Sequence, residues 1–173
     1  MTSPVTRMKI DGGFRVIHAS RRGSSRCDLV RARRFPTANG RAQFTVHAVP
    51  ARQLAPGQLL LTTIRSHDQY NTTIYGLDDR YRGIRGGRRV VLMNADDIDA
   101  LALAPGAAVD LVSRYRGETR TAARFTVVAY PIPRGSAAAY FPEANPLVPL
   151  GQVAPGSGTP ASKSIVIEVT PSS

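Results

Sequence analysis

Val90 to Ser113 reads VVLMNADDIDALALAPGAAVDLVS, and three patterns succeed one another within it. The apolar run Arg89–Met93 predicts a strand. Asn94 follows as a preferred N-cap, with Asp97 at the third helical position and Asp96 beside it, where negative charge complements a helix N-terminus. Ile98, Leu101 and Ala102 give the short helix one apolar face. Pro105-Gly106 ends it, and Val109, Leu111 and Ser113 then alternate with Asp110 and Val112, the period of a half-buried strand.

Strand signals continue on both sides of this unit. Upstream, Pro56-Gly57 turns the chain into the apolar strand Gln58–Ile64. Before that, FPTANGRAQFTVHAV (Phe35 to Val49) places an Asn39-Gly40 hairpin signal ahead of Phe44, Val46 and Ala48, which alternate with Gln43, Thr45 and His47. That pattern predicts another half-buried strand. Downstream, Gly117 marks a hairpin before Thr121–Tyr130, where Phe125, Val127 and Ala129 share a face. Pro131–Pro160, rich in Pro, Gly and Ala, reads as a long extended covering loop, and Ser164–Val169 as a closing strand. Phe14–Ile17 could form a short strand in an otherwise weakly patterned start. Many short strands around one capped helix predict a small, mainly β barrel, because closure removes exposed strand edges.

The 173 residues suit one domain with a core, and 42% of them are hydrophobic. The net charge of +11 is unevenly spread. Residues 1–41 hold ten Arg or Lys against Asp11 and Asp28, a net of +8, whereas the rest holds thirteen against ten, a net of +3. Lys9 and Lys163 are the only lysines, and an Arg, Ala, Gly and Pro bias also arises from GC-rich coding. Basicity therefore argues only weakly for nucleic acid as a partner. A single cysteine, Cys27, excludes an internal disulfide and a Cys-built zinc or iron–sulfur cluster within this chain. No apolar run is long enough for a transmembrane helix, and MTSPVTRMKIDGG lacks an apolar signal region. Gly12-Gly13 and Gly23 interrupt any amphipathic transit helix in the Arg-rich start. The expectation is a cytoplasmic protein without membrane contact.

The apolar strand at Leu59–Ile64 empties into Arg65, Ser66, His67, Asp68, Gln69, Tyr70, Asn71 and Thr72, nearly all of which carry hydrogen-bonding groups. A plain connector favours Gly, Pro, Ser and Asp. Long directional donors and acceptors at the end of a rigid element suit a ligand-reading loop, with a polar Asx-type turn as the alternative. Phosphate-binding, dinucleotide-binding and nucleophile-elbow motifs are absent. Ser66, His67 and Asp68 are adjacent, which rarely permits triad geometry. His47 reads as a surface residue, Cys27 as an incidental thiol, and the histidines lack metal-ligand spacing.

LTTIRSHDQYNTTIYGLDDRYRGIRGG (Leu61 to Gly87) resembles, almost residue for residue, the C-terminal molybdopterin-dinucleotide-binding domain of formate dehydrogenase-like molybdenum oxidoreductases. The similarity continues in FPTANGRAQF, NADDIDALALAPGAAVDLVS, YFPEANPLVPL and SGTPASKSIVIEV, covering Phe35 to the C-terminus. The resemblance implies a double-psi β-barrel (aspartate-decarboxylase-like) with one or two short helices over residues 35–173. Residues 1–34 would be an irregular Arg-rich segment, a remnant of a preceding domain. It further implies a bis-(molybdopterin guanine dinucleotide) cofactor clamped from one side, with molybdenum held by the cofactor and no metal or iron–sulfur ligand here.

By position, the loop Arg65–Thr72 is the segment that would touch that cofactor. Asp68, Gln69 and Asn71 match a pterin's donor/acceptor edge, Arg65, Ser66 and Thr72 match diphosphate oxygens, and His67 lies between them. Asn145, Ser162 and Lys163 fall where the family brings a second wall. The chain departs from the family in length: complete enzymes carry upstream catalytic domains, which would be its partners. No catalytic residue is assigned, and the isolated chain is expected to be an oxidoreductase component without activity of its own. A separate module, a truncated product and a misplaced start all remain open. The rival readings are a nucleic-acid-binding module using the Arg-rich start and a non-functional remnant.

Overall fold

A computed structural model describes residues 7–9, 15–17, 35, 37–44, 46, 48, 53–71 and 74–172. The chain divides into two compact units, Met1–Ala51 and Arg52–Ser173. In the first, β1 (Arg7–Lys9) pairs antiparallel with β2 (Arg15–Ile17), with Met8 opposite Val16. A turn at 37–40 places Gly40 at φ 65°, as Asn39-Gly40 leads one to expect. The strand expected after it is a correction. No described residue of 41–48 is in a strand, and Phe44 and Val46 are each 97% exposed. Alternation makes a strand only where a neighbour pairs its backbone groups, and no described strand does so here. His18, Cys27, Thr45, His47 and Thr72 lie outside the described residues.

The second unit is a barrel. Its strands are β3 (Gln58–Ile64), β4 (Val90–Met93), β5 (Ala108–Tyr115), β6 (Glu118–Ala129), β7 (Ser136–Tyr140) and β8 (Ile165–Pro171). They close in the order β3-β7-β4-β6-β5-β8. Two parallel pairs, β3–β7 and β4–β6, meet at an antiparallel β7–β4 contact, and β8 closes the sheet antiparallel to β3 and β5. This is a mainly β, double-psi-like barrel. One short helix, α1 (Ala95–Ala100), follows β4, and a 3₁₀ turn spans Asn145–Leu147. Among the described residues no helix is long and apolar enough to cross a membrane.

Alternation fills the interior. Leu59 and Leu61, Val109 and Leu111, and Ile165, Ile167 and Val169 point inward with Phe125 and Val127 to form the main core. β4 is buried on both faces. Val91 and Met93 face inward, while Val90 and Leu92 face outward beneath Ile84 and Tyr140. Asn94 caps α1 as expected, its Oδ1 accepting from the Asp96 N–H at 2.9 Å, and Ile98 is buried.

β6 departs from simple alternation. Val109 faces Phe125 but Leu111 faces Ala122, so two residues of β6 oppose Asp110. Arg124 takes φ 58° in this bulge, its N–H donating to Asp110 Oδ1 at 2.9 Å. The extra residue switches the parity, so Ala122 joins Phe125 inside; Ala129, in step with Phe125 and Val127, is exposed at the end of the strand.

The β5–β6 hairpin turns through Arg116 and Gly117 at φ 47° and 84°, the paired positive values of a type I′ turn. A Cβ on Gly117 would meet nothing within 4 Å, so any cost is conformational. Gly117→Ala is expected to lower stability by about 1 kcal/mol in urea unfolding without altering the fold.

The region expected as one long covering loop, Pro131–Pro160, contains β7, which is a correction. Three alanines carry little strand signal, yet Ala137 and Ala139 are small inward residues in a strand bonded on both sides.

Topology then collects loops at one end of the barrel. Ile64 and Tyr140 end the parallel strands β3 and β7 side by side. β4 runs against β7, so Arg88 and Arg89 enter at that end, and β8 starts there because Leu61 faces Ile165. The segments after Ile64, after Tyr140 and before Ile165 therefore emerge together.

Candidate functional site

The polar loop that follows β3 is built on two buried charged groups. The first is Arg88, whose side chain is 3% exposed. Its guanidinium donates to Ser66 Oγ at 2.8 Å, Gln69 Oε1 at 2.9 Å, the Phe141 carbonyl at 2.9 Å and Glu143 Oε1 at 2.8 Å. It lies 4.0 Å from the Tyr75 ring centroid and 4.7 Å from that of Tyr140. A planar fork of donors stacked on aromatic faces is a task for Arg and not for Lys. One side chain thereby ties the loop after β3 to the segment after β7. Gln69 completes the tie, its Nε2 donating to the Phe141 carbonyl at 3.2 Å. The other oxygen of Glu143 is buried with no partner among the described residues.

The second is Asp79, which is 1% exposed. Its Oδ2 accepts from Tyr140 Oη at 2.8 Å and Arg82 Nη1 at 2.5 Å, and its Oδ1 lies 3.1 Å from His67 Nδ1. Burial alone would raise the Asp79 pKa. The hydrogen bonds from Tyr140, Arg82 and His67 outweigh it and bring the carboxyl down to about 2. Tyr140 is pushed up to about 12, first by burial and then by its bond to that carboxylate. Arg82 also donates to the Arg65 carbonyl at 3.1 Å. Tyr140 joins the two centres, its hydroxyl on Asp79 and its ring beneath Arg88.

The sequence-identified residues thus separate by role. Ser66 and Gln69 are buried, and their side-chain oxygens serve Arg88. Arg65, His67, Asp68 and Asn71 lie on the exposed side of the loop. Ser162 and Lys163 are bound to the strand that feeds it. The Thr63 N–H donates to the Ser162 carbonyl at 3.0 Å, Thr62 Oγ1 donates to the Lys163 carbonyl at 3.0 Å, and Lys163 Nζ donates to the Thr63 carbonyl. Asn145 is exposed at the start of the 3₁₀ turn, on the segment that Arg88 holds through Phe141 and Glu143.

Sequence reasoning missed Arg88, Asp79, Arg82, Tyr140 and Glu143 as organisers. All five sit within quoted or neighbouring motifs, but nothing local shows that Arg88 is buried while Arg89 is exposed. Only the pairing of β4 with β7 decides it. Among the described residues no cluster of three or more His, Cys, Asp or Glu could hold a metal ion. The loop offers cation, carboxylate, amide and imidazole groups on a fixed base, a surface suited to a large polar ligand.

A family model described as "Molydopterin dinucleotide binding domain" matches residues 59–166. The chain is 48% identical over 170 residues to an uncharacterized oxidoreductase of Mycobacterium tuberculosis H37Rv, a match covering 95% of this chain and 21% of the relative. A Mycobacterium bovis protein of the same description matches equally. Protein YdeP of Escherichia coli K12 is 37% identical over 172 residues, covering 96% of this chain and 21% of its own length. The chain thus spans about a fifth of the length of these relatives. With the barrel, the anchored polar loop and a family match that runs from β3 into β8, the chain belongs to the molybdopterin dinucleotide binding domain family.

Proposed function

We propose that this chain is the cofactor-holding barrel of a larger, formate dehydrogenase-like molybdenum oxidoreductase. The ligand is molybdopterin guanine dinucleotide in its bis form, and the partners are catalytic domains beyond this sequence. The observation that carries the reading is the anchored loop: Arg88 and Asp79 fix its base, and Arg65, His67, Asp68 and Asn71 are exposed on it, where a ligand would meet them. The match over about a fifth of relatives named uncharacterized oxidoreductases, and of YdeP, supports a role within a longer protein.

The donor set fits the group. Diphosphate oxygens take Arg65, with Lys163 and Thr72 as further donors, and the N–H and C=O edge of a pterin takes Asp68 and Asn71. Ser66 and Gln69 contribute by shaping the loop, since their side chains serve Arg88 and their N–H groups are bonded within it. Asn145 and Ser162 form the second wall. The unfilled Glu143 oxygen beside Arg88 is an orphan that a donor-bearing ligand or an ordered water resolves. When bound, the cofactor supplies the redox-active molybdenum; the chain binds and orients it.

Arg65→Ala and Asn71→Ala test the reading in the assembled oxidoreductase. Each is expected to weaken cofactor retention by about 1–3 kcal/mol, the cost of a polar partner left unpaired. The barrel should stay folded, because substitutions at exposed positions usually change stability by less than about 0.5 kcal/mol. Molybdenum content unchanged from wild type in both variants contradicts the assignment.

A further inference from the structure

His67 joins an exposed face to a buried charge. Its side chain is 45% exposed, while Nδ1 lies 3.1 Å from Oδ1 of Asp79, itself 1% exposed. No described residue hydrogen-bonds Nε2, and the ring is held against Tyr81 with centroids 4.5 Å apart. An ionised carboxylate can only accept. A lone pair on Nδ1 would face a lone pair on an anion at 3.1 Å, which is repulsive, so Nδ1 carries the proton. Arg82 Nη1 is also near Nδ1, at 3.4 Å, but that nitrogen already donates to Asp79 Oδ2 at 2.5 Å and to the Arg65 carbonyl at 3.1 Å. The Asp79 contact therefore sets the tautomer. Neutral imidazole then has its lone pair on Nε2.

We propose that Asp79 is a positioning residue that fixes His67 as the Nδ1–H tautomer, so that Nε2 accepts a hydrogen bond from an N–H donor of the bound pterin. This rests on the cofactor reading above and assigns His67 to the pterin, not to the phosphates. The diphosphate diester of a dinucleotide is fully ionised and brings no donor to a neutral Nε2, whereas an aminopyrimidine edge does.

Asp79→Asn gives the sharpest contrast. Tyr140 and Arg82 both donate to Oδ2, so the amide oxygen of the variant stays there. Its NH₂ then takes the place of Oδ1 and donates to Nδ1, moving the imidazole proton to Nε2. The ring remains but its outer nitrogen becomes a donor.

The test is imidazole ¹⁵N NMR on the full chain, with pterin-6-carboxylate and a P,P′-dimethyl diphosphate diester as separate probes. In the neutral wild type the proton is expected on Nδ1. Pterin should shift the Nε2 resonance, and the diphosphate diester at the same concentration should not. Asp79→Asn should show the Nε2–H form, and both it and His67→Phe should bind pterin about tenfold more weakly. A wild-type Nε2–H tautomer overturns the inference whatever the variants do, as does pterin binding at the loop that is undiminished in Asp79→Asn. If pterin perturbs no resonance of residues 65–71 in the wild type, the cofactor reading fails and the inference falls with it.

Discussion

Arg88→Ala is expected to destabilise the barrel by about 3–5 kcal/mol, the range for removing one partner of a buried ion pair. Glu143 would lose its cation, while Ser66 Oγ, Gln69 Oε1 and the Phe141 carbonyl would each lose a donor. Domains of this size are stable by only about 5–15 kcal/mol, so the variant would sit close to unfolding. Arg88→Lys should recover part of the loss, since it keeps the charge but not the fork that reaches two segments at once. Urea unfolding gives the magnitude. Hydrogen exchange should show residues 65–71 losing protection in Arg88→Lys while β5 and β8 keep theirs. A loss below about 1 kcal/mol in Arg88→Ala would mean that the loop is anchored elsewhere.

The second large effect belongs to Asp79. Its carboxyl is held at about 2 against an ordinary 3.8, because the bonds from Tyr140, Arg82 and His67 outweigh its burial. A depressed carboxyl stabilises the fold above its unfolded pKa, and that contribution is lost as pH falls through the folded one. Stability should drop by about 2 kcal/mol between roughly pH 4 and pH 2 on this account. Asp79→Asn should cost a similar amount at neutral pH and remove that part of the acid limb. Tyr140 gives the opposite limb. With its pKa raised from 10.0 to about 12, its contribution is present below pH 10 and lost as pH climbs toward 12. Tyr140→Phe should abolish the alkaline loss. Urea midpoints across pH separate the two groups, and an acid limb equal in wild type and Asp79→Asn would assign it to other carboxylates.

What the sequence disclosed follows from what local pattern can encode. β3, β4, β5 and β8 announce themselves by apolar period and Pro-Gly turns, and they occur within a residue or two of expectation. α1 starts at its Asn94 cap as expected but stops at Ala100, short of Pro105-Gly106, because Leu101 is already its C-cap and Ala102 takes φ 52°. β7 was hidden because Ser136–Tyr140 carries three alanines, whose place in a strand is decided by neighbours on both sides. The Phe44–Ala48 pattern erred in the other direction, having alternation without a described partner strand. The loop at Arg65–Asn71 was legible from composition, but its division of labour was not. Ser66 and Gln69 look like ligand residues until Arg88, Phe141 and Glu143 arrive from distant segments. Buried charge is the part least visible in sequence, because Asp79 and Arg88 look like the solvated Asp78 and Arg89 beside them.

The central claim is that this end of the barrel holds a molybdopterin guanine dinucleotide. Native mass spectrometry on protein purified anaerobically from its own molybdate-supplied host, paired with molybdenum analysis and assay of GMP released on acid hydrolysis, addresses it most directly. A folded assembly carrying molybdenum together with stoichiometric GMP is the expected result. A folded protein free of both would contradict it.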